Sequence, residues 1–222
     1  MVTSVTDDAK PLNTYVVMGG TFDPVHAGHI KSARQLAEVM DYSCIHMMPC
    51  GDAYHKQGVT NAEHRLAMLS LALEQEARLA VDARETLRDG ATFTVETLKQ
   101  LRQELGANAH ICWVIGTDTA RSIRTWYHWQ KVFELANVIV IDRGADALDM
   151  SETQDWPATA IKDKTIFKQQ AKGCFIQLAL EPVEVSSTEI RDALYKQESV
   201  GDHVPQPVMN YIEQHGLYRG KN

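Results

Sequence analysis

Short apolar runs rich in β-branched residues recur along this chain, at residues 14–18, 44–48, 79–82, 110–115, 137–141 and 174–180. Each has the length of a buried strand, and the stretches between them carry a different period. Ile30, Ala33, Ala37 and Met40 follow steps of three and four, the apolar face of one helix. Thr60 followed by Glu63 reads as a capping box opening a second helix, which carries Leu66, Leu69 and Leu73. Val95, Leu98, Leu101 and Leu105 mark a third. Strands alternating with helices predict right-handed crossovers and a mainly parallel sheet covered on both faces: a Rossmann-like, doubly wound α/β fold. In such sheets ligands bind at the carboxyl ends of the strands.

Two stretches break the alternation. Residues 142–173 are rich in Asp, Lys, Gln and Thr without a clear period, and read as a partly helical surface excursion between the two sheet halves. Residues 186–222 read as a small C-terminal helical part, its last helix spanning 205–217 with Gly216 placed to end it. Residues 1–13 are expected to be flexible. With no repeat and no low-complexity tract, the 222 residues are expected to form a single domain.

Composition narrows the partners. Lys and Arg number 22 against 29 Asp and Glu, and a net charge of −7 disfavours non-specific binding to nucleic acid or anionic membrane. No run approaches the roughly 18 apolar residues of a membrane span, and MVTSVTDDAKPLN lacks the basic and apolar regions of an export signal. Cys44, Cys50, Cys112 and Cys174 are scattered, with neither a disulfide framework nor a zinc spacing. A cytoplasmic protein acting on small molecules, without a dedicated metal cage, is the expectation.

The densest chemistry lies directly after the first strand, in GGTFDPVHAGH, residues 19–29. Gly19 and Gly20 permit a sharp turn and close approach of a ligand to the backbone. Asp23-Pro24 reads as a turn, which starts the next helix near Ala27. His26 and His29 lie three apart, so both can face one point at that helix's N-terminus. Free backbone N–H groups and the positive dipole end make that point an anion site. Two added imidazole donors suit a triphosphate that sheds charge onto its leaving pyrophosphate. The loop has neither the G-x-G-x-x-G of a dinucleotide site nor the G-x-x-x-x-G-K-[ST] of a P-loop. A second motif, SSTEIR at residues 186–191, follows the last strand; Ser186 and Glu189 form a capping box for a helix running to Tyr195.

GGTFDPVHAGH resembles the H-x-G-H signature of the nucleotidyltransferase superfamily, relatives of the class I aminoacyl-tRNA synthetases. The chain is short for a synthetase and has no recognisable tRNA-binding domain. The resemblance implies that Gly19, Gly20, Thr21 and Phe22 line ATP and that His26 and His29 contact its phosphates. SSTEIR resembles the second ATP signature of that group, I-S-S-T-x-I-R. It implies that Ser187, Thr188 and their backbone N–H groups hold phosphate oxygens with Arg191 opposite them, a role compatible with the capping box.

The chain is similar to the bacterial nicotinate mononucleotide adenylyltransferase family over nearly its whole length. PCGDAYHK, residues 49–56, resembles the loop that meets the acceptor phosphate, with His55 and Lys56 at the matching positions. Asp82-Ala83-Arg84-Glu85, then Thr92-Phe93-Thr94 and Thr97-Leu98, resembles the E-x-x-R-x-x-x-S-Y-T-x-x-T-L region, which implies Thr94 at the acceptor. Gly116-Thr117-Asp118 matches G-x-D, whose aspartate approaches the nucleotide; alone, Asp118 reads equally as a helix N-cap. Thr125-Trp126-Tyr127 matches T-W-Y, implying Trp126 against the pyridine ring, and YIEQHGLY matches the family's C-terminal helix. Phe93 stands where the family has tyrosine, and Asp142-Arg143-Gly144 where it has Arg-Pro-Gly.

The resemblance implies adenylyl transfer from ATP to nicotinate mononucleotide by direct in-line attack, with Mg²⁺ arriving on ATP. The alternatives are the same scaffold with nicotinamide mononucleotide or phosphopantetheine as acceptor, and an inert nucleotide-binding domain.

Overall fold

Runs that are apolar at every position, not every second one, fit strands buried on both faces. The computed structural model describes residues 12–51, 58–142 and 147–219. Its strands are β1 (Thr14–Gly20), β2 (Ile45–Pro49), β3 (Leu79–Val81), β4 (His110–Gly116), β5 (Asn137–Asp142), β6 (Thr159–Ala160) and β7 (Cys174–Ala179). The helices are α1 (Ala27–Val39), α2 (Ala62–Leu73), α3 (Thr94–Leu105), α4 (Thr117–Ser122), α5 (Trp129–Leu135), α6 (Lys164–Lys168), α7 (Ser187–Tyr195) and α8 (Gln206–His215). The six expected strands are all present, their ends shifted by at most two residues.

All ladders are parallel, in the order β3-β2-β1-β4-β5-β7-β6. Winding runs outward from β1 in one direction and from β4 in the other, so the topological switch lies between these two neighbours, where ligands bind in open α/β sheets. Successive strand residues enter opposite cores. Val16, Met18, Cys112, Val114, Ile139 and Ile141 face the core under α1, α2, α7 and α8. Val17, Ile111, Trp113, Ile115, Val138 and Val140 face the one filled by Leu98, Leu101, Val132 and Phe133.

Three expectations need correction. The 142–173 segment does not lie between the sheet halves; it crosses over from β5 to β7 at one edge, adds β6 there, and buries Leu148, Trp156 and Phe167. Its apolar anchors are too far apart in sequence to show a period. The cap of α2 is Asn61, whose side chain accepts from the Glu63 N–H at 3.2 Å. Thr60 is occupied elsewhere, as described below. The flexible N-terminus was expected over residues 1–13; of these, 1–11 lie outside the described residues, and the Asn13 carbonyl already accepts from the His110 N–H at 2.8 Å. The final helix ends where expected, at Gly216 in the left-handed conformation (φ 61°).

Candidate active site

The first motif leaves the end of β1 beside the switch point. Its glycines are crowded from within. A Cβ on Gly20 would stand 2.9 Å from the Phe22 ring, and one on Gly19 would stand 3.2 Å from Trp113. Phe22 is 1% exposed and its ring packs into the core, so its backbone is the part turned toward the loop. The chain then turns through a cis Asp23-Pro24 bond into α1, with His26 as N-cap.

The two histidines meet as the spacing predicts. Their ring centroids are 3.7 Å apart and tilted by 31°. The His26 backbone N–H donates to His29 Nδ1 at 3.3 Å, which leaves Nε2 as the proton-bearing nitrogen of a neutral His29. His26 is buried, whereas His29 is partly exposed and packs edge-on against Phe22. Gly28 keeps the space between them tight: a Cβ there would lie 3.0 Å from both the His26 ring and Val185 and would have to push them aside. Val185 is the residue that leads into the second motif.

That second motif is joined directly to the first. Arg191 Nη1 donates to the Asp23 carbonyl at 2.7 Å, and Ser187 Oγ donates to the Pro24 carbonyl at 3.1 Å. Arg191 Nη2 reaches Thr188 Oγ1 at 3.3 Å. Ser186 and Glu189 form the expected reciprocal box. The N-termini of α1 and α7 are thus brought to one place, with Arg191 between them. Ser187 and Arg191 are latches on the first loop as well as candidate phosphate ligands, a role the sequence did not signal.

Asp23 is the hub of this loop. Its carboxylate is 3% exposed; Oδ1 accepts from the Tyr218 hydroxyl at 2.6 Å and Oδ2 from the Thr60 N–H at 3.2 Å. Burial, then the neighbouring Asp23 carboxylate, push the Tyr218 phenol well above its ordinary range. The turn that follows α8 therefore fixes the loop that follows β1.

On the other side of the switch point, Val114 pairs with Met18, so Gly116 and Gly20 lead into neighbouring loops. Gly116, not Asp118, is the N-cap of α4; Asp118 sits exposed in the first turn. The turn is fixed by Thr117, whose hydroxyl donates to the buried Asp142 at 2.6 Å, while Gln177 donates to its other oxygen at 2.7 Å.

Thr94 opens α3 and lies next to Phe93, whose ring stands 4.8 Å from that of Tyr127. This contact brings the T-F-T and T-W-Y segments together. Trp126 is half-buried against the second core. His55 and Lys56 lie outside the described residues; the last described residue before them is Gly51, where a Cβ would stand 2.5 Å from the Glu85 carbonyl.

The acidic–basic pair of the region before Thr92 falls elsewhere than read from 82–85. Arg84 is held on the far side by Asp82 at 2.7 Å and Glu104 at 3.1 Å. Counting back from Thr92, E-x-x-R lands on Glu85 and Arg88. There Thr97 Oγ1 donates to Glu85 Oε1 at 2.7 Å and accepts from Arg88 at 3.1 Å. Burial pushes the Glu85 carboxyl above the usual range. Strict counting of the motif would have found this pair.

The cytidylyltransferase-like family matches residues 17–193. A Yersinia pestis protein named "probable nicotinate-nucleotide adenylyltransferase" is 37% identical over 211 residues, covering 93% of this chain and 96% of its own. One of the same name from Chromobacterium violaceum is 39% identical over 208 residues, covering 91% and 97%. Among solved structures, the Plasmodium falciparum nicotinic acid mononucleotide adenylyltransferase complexed with NaAD superposes with a TM-score of 0.70. It is 21% identical, the superposition covering 93% of this chain and 97% of that one, a likeness of fold. On its sequence relatives and the matched family region, this chain belongs to the nicotinate-nucleotide adenylyltransferase family.

Proposed function

We propose that this protein transfers the adenylyl group of ATP to nicotinate mononucleotide, giving nicotinate adenine dinucleotide and pyrophosphate. The observation that carries the reading is the junction of the two motifs: Arg191 on the Asp23 carbonyl and Ser187 on the Pro24 carbonyl. Residues some 160 apart in sequence are held together, which brings two helix N-termini and two imidazoles near one point, an arrangement suited to an anion.

The acceptor's phosphate oxygen attacks the α-phosphorus, and the bond to the bridging oxygen of pyrophosphate breaks with its electron pair leaving on that oxygen. No protein nucleophile is needed, since an ionised phosphate already is one. The protein supplies alignment and charge neutralisation. His26, His29 and Arg191 meet the triphosphate, with Ser187 and Thr188 at the start of α7 and the backbone of Gly19, Gly20, Thr21 and Phe22 along the nucleotide. Thr94, Asp118 and Trp126 face the acceptor side, where Phe93 and Tyr127 keep 39% and 51% exposure, rings open to an aromatic ligand. His55 and Lys56 meet the acceptor phosphate.

Mg²⁺ belongs to the proposal as an ion carried on ATP. The donors gathered at the triphosphate end are imidazole and guanidinium nitrogens, and both Asp23 carboxylate oxygens are already engaged by Tyr218 and Thr60. This set fits phosphate oxygens, and a hard cation would take its ligands from the triphosphate and water. When bound it supplies charge neutralisation on the leaving pyrophosphate. A cytoplasmic setting belongs to the same proposal, and the four cysteines are free thiols. Among the described residues, no helix is long and apolar enough to cross a membrane.

The test is pyrophosphate release from Mg-ATP with nicotinate mononucleotide, nicotinamide mononucleotide, phosphopantetheine or no acceptor. The acid should be preferred over the amide by at least about 100-fold in kcat/KM, near 2.7 kcal/mol. A donor-rich site leaves groups unpaired against the amide. Equal rates on acid and amide would overturn the acceptor, and ATP binding without release would overturn the chemistry.

A further inference from the structure

Arg65 is 0% exposed, on the apolar face of α2 between Ala62 and Leu69. Its guanidinium is spread over three backbone segments. Nε donates to the Thr60 carbonyl at 2.8 Å, Nη1 to the Thr21 carbonyl at 2.8 Å, and Nη2 to the Gly51 carbonyl at 3.0 Å; the Cys50 sulfur lies 3.6 Å from Nη1. Thr21 directly follows β1 and Gly51 stands two residues past the end of β2, where the chain leaves these adjacent strands. The ladder between these strands ends with the Cys50 N–H on the Gly20 carbonyl at 2.9 Å. One residue further on, at Thr21 and Gly51, the planar fork of Arg65 bridges the two chains in place of a backbone rung. Burying a cation is costly unless its hydrogen bonds are met. A neutral side chain could fill the space, so a buried guanidinium that bridges these two carbonyls needs a reason beyond packing.

We propose that Arg65 is a positioning residue for adenylyl transfer, setting the separation between Thr21, where the ATP-binding turn leaves β1, and Gly51, from which the chain runs on toward the proposed acceptor residues His55 and Lys56. The inference rests on the function proposed above. In-line attack requires both phosphates at one distance and angle, and a misplacement of about 1 Å costs on the order of 100-fold in rate. A residue that fixes loop-to-loop distance governs the reaction of the ternary complex and leaves each binary complex almost intact. Lysine keeps the charge but cannot fork across two carbonyls.

The experiment compares wild type with Arg65→Lys and Arg65→Gln. Single-turnover rate is measured with both substrates saturating, and the dissociation constants of ATP and of nicotinate mononucleotide are measured separately. Expected is a rate loss of about 100-fold in both variants, with each binary constant within about three-fold of wild type. Folded variants that keep the wild-type rate overturn the positioning role, and so does loss of binary ATP affinity in proportion to rate. If neither variant folds, side-chain ¹⁵N NMR of arginine-labelled wild type decides. The Arg65 resonances should shift on adding ATP alone and again on adding the acceptor; indifference to both overturns the proposal. A wild type that releases no pyrophosphate with this acceptor overturns the functional reading and the inference together, whereas wild-type turnover with unaffected variants overturns the inference alone.

Discussion

The two ends of the sheet both bury polar side chains, but they use them differently. At the amino ends of β4 and β5, Tyr42, His110, Cys112, Asn137 and the Gln170 carbonyl satisfy one another. His110 Nε2 lies 3.0 Å from the Tyr42 hydroxyl and 3.0 Å from Cys112 Sγ. Asn137 donates to the Gln170 carbonyl at 2.7 Å and accepts from the Cys174 N–H at 3.0 Å. Burial pushes the Cys112 thiol up to about 12, so it remains a neutral, inert member of the set. At the carboxyl ends, Asp23, Arg65, Ser187 and Arg191 reach for the backbone of loops. The first network ties strand ends to one another and to the Gln170 carbonyl beside them; the second ties one ligand-side loop to another and so fixes the positions of other groups, here two imidazoles and two helix N-termini. Polar burial at one end serves stability and at the other serves geometry.

Turnover at the carboxyl end should be the most sensitive quantity in the molecule. His29→Ala is expected to lower kcat by roughly 10²–10³-fold, the effect of removing one preorganised donor to a developing charge. Its partly exposed ring should be dispensable for folding, the loss of its bond from the His26 N–H lowering the melting temperature by no more than a few degrees. Steady-state kinetics beside a thermal melt checks both halves. Near-normal turnover would remove His29 from the chemistry, and an unfolded variant would turn it into a structural group like His110, erasing the contrast between the two ends.

The contrast also marks what was legible in the sequence. Strand runs and the two motifs are contiguous, so their roles show in a string: His26 and His29 three apart, Ser186 and Glu189 three apart. Latches are not contiguous. Asp23 and Tyr218 are 195 residues apart, and nothing near either one announces the pair. Arg65 was concealed differently. It occupies a position on the apolar stripe of α2, where its charge argues for solvent, although its spacing from Ala62 and Leu69 argues for the core; the spacing was the better guide. Thr60 looked like a cap because a threonine three residues before a glutamate fits the box. Asn61 caps instead, leaving the Thr60 N–H for Asp23 and its carbonyl for Arg65.

At the amino end the expected effect is on stability and its pH dependence. Burial, with Lys168 and Arg102 nearby, lowers the His110 pKa below its ordinary 6.5. A histidine with a depressed folded-state pKa contributes stability that is present above the unfolded value and lost as pH falls through the folded one. Unfolding free energy should therefore decline as pH drops below about 6.5. His110→Gln should flatten that decline by up to one proton's worth, about 1.4 kcal/mol per pH unit. Turnover by the folded variant at neutral pH should stay near wild type. Denaturant titrations at several pH values measure the slope. An unchanged slope would mean the closed network does not hold its imidazole neutral, and lost turnover would mean the two ends are coupled.

The smallest expected effect lies where cap and cradle share one helix start. Ser186 has extended backbone (φ −125°, ψ 151°), its hydroxyl accepts from the Glu189 N–H at 3.2 Å, and its own N–H donates to Glu189 Oε2 at 2.9 Å. Replacing it by alanine removes the side-chain half of this box and should cost about 1 kcal/mol of stability. The ligand-facing part of α7 does not depend on that bond alone. Ser187 and Arg191 are held independently by the Pro24 and Asp23 carbonyls, and Ile190 is buried in the core beneath them. Ser186→Ala should therefore melt a few degrees lower yet retain kcat within about three-fold well below its melting temperature, since a cap of this size only frays the first turn. A kcat loss approaching that of His29→Ala would show that the cap itself orders the phosphate-binding N–H groups. Stability and geometry would then be a single property of α7, not two carried by separate bonds.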